Sequence, residues 1–155
     1  MDNLKEKRVL WAEKALNAQD YDAASRIYTE VADDFLLMDK HSAAFFYILA
    51  ARYKKNNPEH KQALYQKALK AYKLVNEQES IANLFLEIGH CLLENNEYNK
   101  AFDYLCNGAN AQIELMKQSM ENVHSDTFEK TKNDIALYWE DLNQIFKLID
   151  KCNLN

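Results

Sequence analysis

The sequence predicts an all-α fold of seven helices, on three observations. Gly occurs twice and Pro once in 155 residues, where average usage would give roughly eleven and eight. A β-rich chain needs both residue types in its tight turns, so their scarcity points to few helix-to-helix connections. Ala, Leu, Lys, Glu and Gln, all good helix formers, are abundant. Apolar residues recur at steps of three and four, as in Tyr21, Ala24, Ile27, Tyr28, Val31, Phe35 and in Ile81, Leu84, Phe85, Ile88, Leu92, and no segment alternates with period two.

The first helix is expected from about Asp2 to the break at Asn17-Ala-Gln-Asp20. Asp20 can cap the second, which is predicted to continue to about Met38, and Asp39 can cap the third. Asn56-Asn57-Pro58 predicts a stop, because Asn tolerates a left-handed turn and Pro cannot continue a helix. The fourth helix is expected over Glu59 to Val75, the fifth from Glu79 to Asn95-Asn96, and the sixth from Glu97 to Asn122. Ser125-Asp126 opens the seventh, with Asp126 and Glu129 at capping-box spacing, and it can run to Cys152.

The segment Phe85 to Leu105 resembles one tetratricopeptide repeat. Phe85, Ile88, Gly89 and Leu92 fit the large-large-small-large pattern of the first helix, and Tyr98, Ala101 and Leu105 fit the second, with Gly108 small after them. Gly89 and Ala101 are small where two helices would cross closely. A weaker copy holds Trp11, Ala12, Tyr21, Ala24 and Tyr28, and an irregular one holds Phe46, Leu49, Ala50, Tyr53, Ala68 and Tyr72. Irregular, somewhat long repeats are similar to those of the soluble attachment (SNAP) proteins of vesicle fusion, which are about twice as long; a fusion role is not carried over. The resemblance covers about residues 8 to 110. It implies a right-handed stack of three antiparallel hairpins, at about 2–38, 39–75 and 79–122, with a capping helix at about 126–152, in a single domain spanning 1–155.

Phe128, Ile135, Tyr138, Leu142, Ile145, Ile149 and Cys152 give the last helix a near-heptad apolar course. Trp139, Phe146 and Leu148 widen it, either to cover the end of the stack or to form a homodimer contact, for which Trp139 and Phe146 are the candidates.

Catalytic chemistry has little support. Glu87-Ile-Gly-His90 and Glu121-Asn-Val-His124 have the Glu-x-x-His spacing of di-iron bundles. Gly89 turns the first toward a neighbouring helix, the second falls at a helix end, and no supporting Glu pair stands out. They read as solvated faces, with a metal-dependent helical enzyme as the remote alternative. Cys91, Cys106 and Cys152 have no ligand spacing and read as reduced thiols. No enzyme activity, cofactor or metal is expected. The charged N-terminus lacks the apolar run of a signal peptide and no segment is long enough to span a membrane, so a cytoplasmic protein is expected.

Charge is more informative. The chain is at −5, yet residues 52–73 are at +6 and the rest at −11. Within that segment Lys54, Lys55, Lys67 and Lys70 form either a solvated face or a contact for an acidic protein or peptide, or an anionic membrane surface. Nucleic acid is disfavoured because most of the molecule would repel phosphates. The resemblance further implies an inner face for a partner. Ala44, Tyr47, Ala51, Lys54 and Lys55 match it in the middle hairpin, and Asn83, Leu86, His90, Leu93 and Glu94 match it in the third. The Lys-and-Asn clamp that some family members use for a terminal carboxylate is not seen there. The leading expectation is an adaptor or regulator that grips a protein partner through Tyr47, Lys54, Lys55, Lys67, Lys70, Asn83, Leu86, His90 and Glu94. The alternative is a subunit that self-associates through Trp139 and Phe146.

Overall fold

The computed structural model describes residues 3–122 and 128–154. Among them lie seven α-helices and no strand: α1 (Asn3–Asn17), α2 (Tyr21–Phe35), α3 (Lys40–Tyr53), α4 (Pro58–Leu74), α5 (Gln78–Glu94), α6 (Tyr98–Glu121) and α7 (Phe128–Asn153). No helix is long and apolar enough to cross a membrane. The helices form two compact units, Met1–Glu77 and Gln78–Asn155.

Local chemistry explains the boundaries. The Asp20 carboxylate accepts from the Ala23 amide, and Asp39 does the same for Ser42, so α2 and α3 start where an orphan N–H finds an acceptor. Asp126 and Ser125, the expected cap of α7, lie outside the described residues.

Two expectations are corrected. The second helix ends at Phe35, not Met38: the Met38 and Asp39 amides both donate to the Phe35 carbonyl, turning Leu36, Leu37 and Met38 into a tight outward loop before the Asp39 cap. Asn56-Asn57 is not a left-handed stop. Asn57 is extended (φ −143°) and caps α4 by accepting from the His60 amide, with Pro58 opening the helix where its missing N–H costs nothing. The left-handed residues are Gln19, Asn76 and Asn96, with φ near +60°. At each, the following amide reaches back five residues and its own reaches back three, which closes the helix in a Schellman motif.

In the first unit α1, α2, α3 and α4 pack each on the next. Ala43, Ala44, Ala50 and Ala51 are fully buried and keep α3 thin, so α2 and α4 can both approach it closely. The Ser25 hydroxyl donates to the Ala50 carbonyl across this contact. Five rings alternate between α2 and α3: Tyr21 with Tyr53 (6.4 Å), Tyr53 with Tyr28 (6.0 Å), Tyr28 with Phe46 (6.1 Å) and Phe46 with Phe35 (5.6 Å), all stacked. Positions 21, 28, 35 and 46, 53 are seven apart, which brings each ring to the same face two turns on. A lysine covers each end, Lys55 over Tyr21 at 4.0 Å and Lys5 over Phe35 at 4.5 Å. Trp11 of α1 stays half exposed.

The second unit is more aliphatic. α6 packs against both α5 and α7, around Leu105, Ala109, Leu142 and Ile145. A Cβ on Gly89 would lie 2.6 Å from Leu105 Cδ2, so only glycine fits against that side chain as it stands. One on Gly108 would meet Phe85 Cβ at 3.3 Å and Ile145 Cδ1 at 3.6 Å. Both glycines of the chain thus lie at helix contacts, and none serves a turn.

Candidate functional site: a lysine-rimmed apolar cleft in the first unit

A cleft of about 450 Å³ opens where the end of α2, the start of α3 and the second half of α4 meet. Leu36, Leu37, Ala71 and Leu74 supply apolar walls, Tyr47 and Asp33 a polar floor, and Lys40, Lys67 and Lys70 the rim. Leu37 is 91 % exposed and Leu74 is also exposed, so an apolar surface faces solvent between cations.

The floor is internally satisfied. Tyr47 is 1 % exposed and its hydroxyl donates to Asp33 Oδ1. Burial first, and then the hydrogen bond to Asp33, pushes this phenol above its ordinary range, so it stays a protonated donor at neutral pH. Lys67 Nζ lies 3.5 Å from Asp33 and 5.1 Å from the centre of the Tyr47 ring.

The rim is not. Among the described residues Lys40 and Lys70 have no carboxylate partner. Lys40 is the first residue of α3, whose first turn holds no acid. A cation there opposes the helix dipole, at a cost of some tenths of a kcal/mol. It therefore does not stabilise its own helix.

The structure divides the residues singled out from sequence. Tyr47, Lys67 and Lys70 come together in the cleft, but Tyr47 is its floor and not a surface anchor. Lys54 and Lys55 are elsewhere. Lys54 Nζ is 2.9 Å from Asp22, whose carboxyl it holds below the usual range, and Asn56 also reaches that carboxylate; Lys55 covers Tyr21. Asp22 and Asp33 are eleven residues apart on α2, about 16 Å of helix. The four lysines thus do not form one patch: two hold the molecule together and two face the cleft. The depression beside Lys54, lined by Asp20, Asp22, Arg26 and Glu30, carries both signs of charge. Ala44 and Ala51 are fully buried and offer no inner face.

In the second unit Asn83, His90 and Glu94 are exposed along α5, with His90 Nδ1 3.6 Å from Glu94 Oε1. Leu86 is half-buried and packs, with Leu93, against the Leu105–Ile145 cluster, so only part of its side chain is open to a partner. Trp139 and Phe146 are 53 % and 45 % exposed. Among the described residues no three His, Cys, Asp or Glu side chains converge as metal ligands, and His124 lies outside them.

Sequence reasoning missed Lys40, Leu36, Leu37 and Leu74. The signal was present: an Asp39 cap forces α2 to stop earlier, and that stop turns Leu36-Leu37-Met38 outward.

The chain matches no protein-family model, no curated protein and no solved structure.

Proposed function

We propose that this chain is a protein-binding adaptor or regulator whose first unit holds an acidic, apolar-anchored segment of a partner over the cleft. One observation carries the reading: two unpaired lysines, one of them at an unfavourable helix position, flank exposed leucines at the mouth of a concave site. An aliphatic side chain entering between Leu37 and Leu74 leaves water, and a carboxylate beside it meets Lys40 or Lys70. Low charge density and an absence of apolar residues would both count against a ligand. A tetratricopeptide-like stack belongs to the same reading, supported by the close approach at Gly89 and Ala101, as does a cytoplasmic role without catalysis.

The test is a displayed library of short peptides. Enrichment is expected for sequences with two or three aliphatic or aromatic residues beside Asp or Glu. Joint Lys40→Glu and Lys70→Glu should weaken the enriched peptide tenfold or more, which is roughly 1.4 kcal/mol, with helicity and melting temperature retained. Enrichment indifferent to acidic residues, or binding unchanged by the double reversal, refutes the cleft.

A further inference from the structure

The last helix carries a second apolar stripe whose three aromatic members stay open to water, with Ile135 half-buried between them. Phe128, Ile135, Trp139 and Phe146 are spaced by seven, four and seven residues, which keeps them within a narrow arc of α7. Phe128 is 71 % exposed, and Trp139 and Phe146 remain about half exposed. The helix's buried face lies to one side of this arc, at Thr131, Leu142 and Ile145. Three large aromatic residues in line on water-facing helix are a contact surface in want of an occupant.

The charges on the same arc identify the occupant. Lys132 and Asp150 flank the stripe and are 18 residues apart, five full turns, so both project from one flank. Among the described residues neither has an ion-pair partner. A surface that pairs with its own copy about a two-fold axis must be self-complementary, each group meeting its counterpart at equal distance beyond the midpoint. The midpoint of Lys132 and Asp150 is position 141. An antiparallel pairing centred there sets each Lys132 opposite the other copy's Asp150. It also sets Phe128 opposite Leu154, both strongly exposed, and Phe146 opposite the small Ala136. The Trp139 rings lie on either side of the centre, each against Asn143. A single register thus pairs cation with anion at both ends, brings the exposed Phe128 and Leu154 together and seats Phe146 against a small residue.

We propose that α7 pairs antiparallel with the α7 of a second copy of this chain, with Trp139 and Phe146 as apolar anchors and Lys132 to Asp150 setting the register. The stripe from 128 to 150 is about 33 Å long, a contact at the small end of specific interfaces. This inference is independent of the cleft in the first unit.

Sedimentation equilibrium of the full chain from 1 to 300 µM tests it. The weight-average mass should rise from one chain toward two. Trp139→Glu should raise the dissociation constant at least tenfold with helicity unchanged. Lys132→Asp should weaken pairing about tenfold, since it creates two facing acid pairs, and adding Asp150→Lys should restore it. A wild-type mass of one chain throughout overturns the proposal, as does a dimer indifferent to Trp139→Glu. A dimer that Trp139→Glu dissociates, but that the charge exchange does not restore, overturns the antiparallel register. Because the exchange restores function where misfolding could not, loss of fold in a single variant is distinguishable from loss of the contact.

Discussion

Each unit contains a tyrosine that donates to a carboxylate, and the two pairs have opposite surroundings. Tyr47 meets Asp33 in the first unit, with Lys67 3.5 Å from the same carboxylate. Tyr138 meets Glu79 in the second, with further acids near: burial, then Glu140 and Glu79, raise the Asp141 carboxyl above its ordinary range. The contrast follows the composition. Met1–Glu77 carries 13 Lys and Arg against 11 Asp and Glu, whereas Gln78–Asn155 carries 6 against 13. The first unit is mildly basic and ties many of its charges to carboxylates or rings; the second is strongly acidic and relies on aliphatic packing. An overall charge of −5 conceals both facts.

The sharpest way to break this comparison is at the packing of the second unit. Gly89→Leu should destabilise it by about 3 kcal/mol, because added methylenes collide with the fully buried Leu105. Urea unfolding followed by circular dichroism measures this, and an unchanged midpoint would mean that Leu105 repacks freely. Tyr47→Phe should cost about 1 kcal/mol in the first unit, the worth of one partly buried hydrogen bond. A neutral result would show that Lys67 alone satisfies Asp33.

The tyrosine of the second unit makes a pH prediction. Burial, then the hydrogen bond and the charge of Glu79, push the Tyr138 phenol up to about 12. A raised pKa means that the protonated form stabilises the fold. That contribution is complete below about 10, the unfolded value, and is lost as pH rises through about 12. Alkaline unfolding should therefore flatten in Tyr138→Phe, as melts between pH 9 and 12 would reveal. The smallest effect has the opposite sign. Lys40→Glu should raise stability by a few tenths of a kcal/mol by complementing the α3 dipole while weakening peptide binding. A variant that loses both would identify Lys40 as structural.

The helices were legible because their signals are local. Asp20 and Asp39 announced two starts, and the spacing of Gly89 from Ala101 and Leu105 pointed to a close approach that the structure contains. The cleft was half legible. Lys67 and Lys70 could be singled out by charge, but Lys54 has the same charge and a different fate, decided by Asp22 some thirty residues away. Helical periodicity gives a face without saying what the face meets: tertiary packing buries Tyr47 and half-buries Leu86 against the Leu105–Ile145 cluster. The aromatic ladder was present as 21, 28, 35 and 46, 53, yet only the pairing of α2 with α3 reveals that the two series interleave.

The chain has two tryptophans, and they fall one to each unit: Trp11 in α1 and Trp139 in α7, both about half exposed. Intrinsic fluorescence is therefore separable by unit with one conservative substitution. In Trp139→Phe the emission comes from the first unit alone, and in Trp11→Phe from the second alone. A denaturant titration of the two variants reports whether the units melt together or in sequence. The second variant has a further use. Its indole sits on the stripe assigned to a second copy, so its emission should move to shorter wavelength as protein concentration rises, while that of Trp11 stays fixed.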